Sequence, residues 1–196
     1  ARALKTPEDL KNLKMRVSSS LGFVLALKNM AEGTGMTMET IPWAEIYNAL
    51  SRGVVDGCWD MWPSLVDERH AEVMKHFTDL QWSWDSQGII INNALWDSLE
   101  PSLQEAIMKA AQEAETMLYD IQEKAQNDYI AALRQQKNFT ITELSEEERD
   151  VWRNKARMEG IWKELCDPWL EKHYPGANMG ATIQAELAKI REENKK

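Results

Sequence analysis

The chain has 196 residues, 43% of them hydrophobic, which is enough for a real core in one sizeable domain or two small ones and excludes a disordered tail. A formal charge of -9 with no run of Lys or Arg argues against an electrostatic footprint for nucleic acid or an anionic membrane. No apolar stretch approaches the roughly 20 residues that a membrane helix needs, and no signal peptide precedes Ala1, which leaves a cytosolic protein or one whose leader has been removed.

Thr6-Pro7-Glu8-Asp9 predicts a short helix, with Thr6 as cap, Pro7 in the first turn and acids at the positive end of the dipole. Leu13 to Val17 alternates, with Leu13, Met15 and Val17 on one face and Lys14 and Arg16 on the other, and so predicts a strand with Arg16 near its carboxyl end. Ser18-Ser19-Ser20 can cap a helix over 21–32, which Gly33 and Gly35 terminate, and a second strand follows over 36–41.

The stretch Ile41 to Pro63 organises the rest. Residues 44–51 have helix length, with Ile46, Tyr47 and Leu50 on one face; Gly53 closes the helix, and Val54-Val55 predicts a buried strand. Cys58, Trp59, Asp60 and Trp62 lie just beyond that strand. In open α/β sheets ligands sit in the crevice past the carboxyl ends of strands, so this polar and aromatic cluster is where a ligand is to be sought. The alternative for each tryptophan is a place in the core.

Pro63 predicts a helix to about Met74, and 77–80 and 88–91 read as further strands, so the order is β and α in alternation, an α/β signature. Beyond Pro101, as far as Lys137, there is neither proline nor glycine, and Leu103, Ile107, Ala110, Ala114, Met117, Leu118, Ile121 and Ala125 keep a helical period. At 1.5 Å per residue that helix runs for roughly 55 Å, long enough to span two lobes or to project. Residues 139–142 read as a strand, Ser145-Glu146-Glu147-Glu148 is a capping box opening another helix, and an amphipathic helix is expected beyond Asn178.

Catalytic chemistry finds little support. Cys58 with His70 or His76 is the one conceivable nucleophile and base, and nothing in the sequence fixes their geometry. His70 and Glu72 lack the spacing of a metal pair on one helix face, His173 stands alone, and no Gly-rich phosphate loop follows a strand, so no metal or cofactor is expected. Cys58 and Cys166 match no metal or redox spacing; they are two free thiols, or a pair if the compartment is oxidising. Recognition is what remains. Arg16 offers a planar fork that can take a carboxylate in two parallel hydrogen bonds, against the alternative of a surface salt bridge, and Trp43, Trp59 and Trp62 could wall a pocket.

The run P-W-A-E-I-Y-N-A-L-S-R-G-V-V-D-G, Pro42 to Gly57, resembles the signature of the solute-binding proteins of TRAP transporters, the DctP-type periplasmic receptors. K-T-P-E-D-L-K-N-L-K-M-R-V, Lys5 to Val17, and the stretch Leu95 to Ala114 resemble two more of that family's elements, in the same order. The resemblance implies a two-lobed α/β fold of the periplasmic-binding-protein type (type II) with a long helix spanning the lobes. It also implies a receptor that captures a small organic acid and hands it to the small and large membrane subunits of an ion-driven permease. The receptor itself is neither membrane-embedded nor an enzyme. A sensing module of the same fold without transport, and a small hydrolase using Cys58, are the rival readings.

Carried over by position, the family's carboxylate-pairing arginine matches Arg16, and its ligand-facing aromatic matches Trp43. Trp59 is a further candidate. Asp60 stands where the family has a ligand-contacting asparagine, and Trp82 where histidine is frequent. With a carboxylate at Asp60 the expected ligand is a monocarboxylate that also bears an amine, a quaternary ammonium or a hydroxyl. The alternative for Asp60 is a salt bridge to a neighbouring basic residue, Arg16 included. The resemblance covers nearly the whole chain, yet family members are longer, and the expected division is a ligand-binding lobe segment over 1–98, the long helix over 99–137, and a terminal strand with helices over 138–196. The N-terminal lobe is expected to be largely absent from these residues.

Overall fold

Three short parallel strands carry the architecture, with β1 (Lys14–Val17) between β2 (Thr37–Thr40) and β3 (Gly57–Cys58). The computed structural model describes residues 2–83 and 88–193. Strand β1 (Lys14–Val17) pairs with β2 (Thr37–Thr40) from Lys14↔Thr37 to Val17↔Thr40, and with β3 (Gly57–Cys58) at Met15↔Gly57 and Arg16↔Cys58. Helix α1 (Leu21–Met30) makes the crossover that a parallel β1 and β2 require. As the central strand, β1 is covered on both faces. Its burial therefore does not alternate: Lys14 is exposed, but Met15, Arg16 and Val17 are all buried.

Two compact units make up the described chain, one from residues 1–59, 76–80 and 141–196, the other from 60–75 and 81–140. In the first, Leu10, Met15, Val17, Ala26, Met30, Ile46, Val55, Trp152, Ala156 and Ile161 form the core. The opening turn Pro7–Leu10 is a 3-10 helix, and the Asp9 carboxylate accepts the Lys5 and Thr6 amides at 2.8 and 2.9 Å. Those hydrogen bonds, led by the one from Thr6, lower the carboxyl pKa of Asp9 below its ordinary value. Helix α7 (Glu146–Ala156) starts on the Ser145 and Glu148 capping box and packs on α1. Its Trp152 donates from Nε1 to the Lys5 carbonyl at 3.0 Å. Helices α8 (Met158–Leu165), α9 (Asp167–His173) and α10 (Met179–Glu193) complete this unit. Strands β4 (His76–Asp79) and β5 (Thr140–Glu143) form a separate two-stranded sheet.

The second unit holds α3 (Trp62–Asp67), α4 (His70–Val73), α5 (Asn93–Ser98) and the 34-residue α6 (Pro101–Arg134). Helix α3 packs on α6, and the Tyr129 hydroxyl donates to the Asp67 carboxylate at 2.6 Å. That bond, which stabilises the protonated phenol, raises the pKa of Tyr129.

Five expectations from the sequence need correction. The strand expected at Val54-Val55 forms instead at Gly57–Cys58. Asp56 bridges to β1 just before it, its N–H donating to the Lys14 carbonyl and its carboxylate accepting the Lys14 N–H, both at 2.8 Å. Gly57 suits the pairing because a Cβ there would meet Met15 Sδ at 3.1 Å. Val55 is buried all the same, as loop packing. The helix expected from Pro63 to Met74 is two helices, since Arg69 takes a left-handed φ of 62° and interrupts the run. Residues 88–91 form no strand; they find no pairing partner among the described residues, and Ile90 is 94% exposed. The helix expected from Ala44 to Ser51 is a 3-10 turn, Trp43–Glu45, running into α2 (Ile46–Ser51). The long helix stops at Arg134 rather than Lys137.

Candidate functional site

Parallel strands all present their carboxyl ends on one side of a sheet, and three features converge there by topology. Arg16 is the third residue of β1, Ile41 directly follows β2, and Trp59 directly follows β3. Arg16 is 4% exposed. A buried guanidinium needs acceptors, and its Nε donates to the Ile41 carbonyl at 2.8 Å. Ile41 is held in turn because its N–H donates to the Val17 carbonyl at 3.3 Å. One face of the guanidinium is covered by the Trp43 ring, with Cζ 5.5 Å from the ring centroid, inside the range of a cation–π interaction. Its burial sets Arg16 apart from an ion pair on the exposed surface.

Trp43 arrives there because Pro42 presets the turn that follows β2; the Glu45 N–H closes that turn on the Pro42 carbonyl at 3.0 Å. Trp59, half-buried, meets the ring of Phe23 from α1, with centroids 5.8 Å apart and planes tilted by 48°. Phe23 was missed from the sequence. The available signal was its place in the first turn of the helix that follows Arg16's strand.

Asp60, the next residue, belongs to the second unit. One carboxylate oxygen accepts the Met61 N–H at 2.8 Å, and the other lies 2.9 Å from Nδ1 of His70. Both side chains are nearly closed to solvent, Asp60 at 1% and His70 at 2%. Desolvation is the largest influence on Asp60 and raises its carboxyl pKa; the Met61 amide and His70 act in the opposite sense, while the charge of Glu68 adds to the rise. Glu68 also approaches the far side of the imidazole, with Oε2 3.7 Å from Nε2. His70 carried no signal in the sequence beyond its type. Asp60 has a basic neighbour in His70 of α4. The structure brings Arg16, Trp43 and Trp59 to one edge of the sheet and turns the Asp60 carboxylate toward His70.

Among the described residues no group of three or more His, Cys, Asp or Glu could hold a metal ion, and no helix is long and apolar enough to cross a membrane. Among the described residues neither Cys58, within β3, nor the exposed Cys166 forms a disulfide.

The model of the family described as bacterial extracellular solute-binding protein, family 7, matches residues 1–167. A C4-dicarboxylate-binding periplasmic protein of Rhodobacter capsulatus is 28% identical over 149 residues, 76% of this chain and 44% of that protein. The periplasmic ectoine-binding protein of the TeaABC TRAP transporter of Halomonas elongata superposes with a TM-score of 0.77 at 20% identity, over 85% of this chain and 53% of that one. A TRAP periplasmic solute-binding protein of Shewanella oneidensis, solved with bound succinate, gives 0.69 at 23% identity, over 87% and 52%. The chain therefore spans about half the length of the proteins it matches, consistent with a portion of a two-lobed α/β fold.

Proposed function

The chain belongs to family 7 of the bacterial extracellular solute-binding proteins, and from that premise we propose that it is the ligand-capturing portion of a TRAP-transporter receptor for a small organic acid. The receptor works in the periplasm and delivers its ligand to the small and large membrane subunits of the permease. Arg16 pairs with the ligand carboxylate, Trp43 and Trp59 form the aromatic side of the site, and Asp60, anchored on His70, holds the turn that follows Trp59.

One observation carries this reading: a buried guanidinium at the carboxyl ends of three parallel strands, already oriented by a carbonyl and an aromatic face. A cation in that setting offers a planar, charge-assisted grip to an anion. The C4-dicarboxylate relative and the succinate-bound structure support an organic acid as the anion. Native mass spectrometry of the protein mixed with small organic acids tests the reading. One or more acids should appear as a one-to-one adduct that Arg16→Ala abolishes; an adduct that survives the substitution removes Arg16 from the site.

A further inference from the structure

Between Pro101 and Lys124, helix α6 has no buried residue among those described, and all of these except Gln104 and Ala111 are exposed. A helix left bare over about six turns gains little from packing, and in water a lone helix of that length is marginal. Its apolar residues nevertheless follow a strict rule. Leu103, Ile107, Ala110, Ala114, Met117 and Ile121 stand four, three, four, three and four residues apart, the a and d positions of successive heptads. Such a seam is narrower than the stripe by which a helix lies on a globular core, and its period of 3.5 residues fits a second helix.

The order of sizes and charges says which helix. Leu103 with Ile107 and Met117 with Ile121 flank two alanines, so the seam reads large, small, large in both directions about Gln112. The next positions outward are the exposed Glu100 and Lys124, twelve residues to either side of Gln112 and opposite in charge. We propose that α6 pairs with α6 of a second copy of this chain, antiparallel about a two-fold axis at Gln112. Leu103 then meets Ile121 of the other copy, Ile107 meets Met117, Ala110 meets Ala114, and Lys124 meets Glu100, each contact made twice as a two-fold interface requires. The alanine layers beside the axis let the two backbones approach closely. A parallel pair would set Lys124 against Lys124 and Glu100 against Glu100, and would bring together the two copies of α3, which packs on α6 beyond the seam, near Tyr129.

Sedimentation equilibrium of the chain is expected to show monomers passing to dimers and stopping there, since a two-fold contact closes on itself. Lys124→Glu, which sets like charges at both ends of the seam, weakens the dimer severalfold, and Lys124→Glu combined with Glu100→Lys restores it. Orientation is read by cross-linking with a short bis-maleimide after Cys58 and Cys166 are replaced by serine. Glu113→Cys, beside the axis, becomes linked to its own copy, whereas Leu103→Cys, about 27 Å from its own copy in the antiparallel register, does not. A monomer at every concentration overturns the proposal, and the seam then serves a different partner. Association that continues beyond the dimer overturns it as well. A Lys124→Glu dimer as tight as the wild type, or a double exchange that restores nothing, overturns the register, and a Leu103→Cys chain that links to its own copy marks a parallel pair and overturns the orientation. The charge exchange leaves both cysteines in place, so it decides the register even if Cys58→Ser fails to fold.

Discussion

The carboxylate of Asp60 lies 2.9 Å from Nδ1 of His70, and neither side chain is more than 2% exposed. Taking one partner from such a buried pair strands the other in a desolvated site, at a loss of about 3 to 5 kcal/mol. The Met61 amide still supports the carboxylate, so His70→Ala is expected near the low end, about 3 kcal/mol less stable. Urea unfolding followed by tryptophan fluorescence measures it. A variant within about 0.5 kcal/mol of the wild type would show that the pair contributes nothing.

The same burial gives a dependence on pH. Because desolvation raises the folded-state pKa of Asp60, the folded protein holds that proton more tightly than the unfolded chain does. The stabilisation this brings is fully present below the ordinary carboxylate value, ~3.9, and is lost as pH rises through the raised one. Asp60→Asn cannot titrate. Relative to it, the wild type should lose unfolding free energy on going from about pH 4 toward neutrality; a difference that is flat, or that grows with pH, contradicts the assignment.

Several elements were legible in the sequence because their signals are local. The capping box at Ser145, the proline-led turn at Pro7 and the unbroken periodicity beyond Pro101 each specify an element without reference to the rest of the chain. The misplaced strand at Val54-Val55 shows the limit. Which residues enter a ladder is decided by the partner's free edge, and here Met15 and Arg16 pair with Gly57 and Cys58, while Val55 is buried without pairing. The break at Arg69 was equally hidden, as nothing about an arginine announces a left-handed backbone. Of the candidate site, Arg16 stood out in the sequence near the carboxyl end of a strand, Trp43 just before a helix and Trp59 just beyond a strand. Phe23 and His70 did not, because their contacts depend on tertiary packing.

Trp152 joins α7 to the opening segment through its Nε1 bond to the Lys5 carbonyl. Trp152→Phe keeps much of the apolar volume and removes the donor, so the expected loss is about 0.5 to 1.5 kcal/mol, the net worth of one part-buried hydrogen bond. Trp152→Ala adds a cavity, and about 3 to 5 kcal/mol is expected. Thermal or chemical unfolding of the two variants separates the terms. Equal losses would mean that the hydrogen bond, not the packing, dominates.

Along α6 the apolar positions Leu103, Ile107, Met117, Leu118 and Ile121 recur at helical spacing, and all are exposed, Met117 at 62%. A continuous apolar stripe on a solvent-facing helix drives association. The chain is expected to self-associate with rising concentration in light scattering, and Leu118→Lys with Ile121→Lys to suppress it. A monomer at every concentration would show that the stripe is too narrow to act.

The proposed capture of a carboxylate through Arg16 is the role on which the other proposed roles depend. Thermal unfolding in the presence of paired compounds, each organic acid beside its neutral amide, puts it to the test, because a ligand that binds only the folded state raises its stability in proportion to the logarithm of its concentration. Saturable stabilisation by one or more acids is expected, with little from the matching amides, and that difference should vanish in Arg16→Ala measured against its own ligand-free midpoint. Acids and amides that stabilise equally, or a preference for acids that persists in Arg16→Ala, would contradict capture through this arginine.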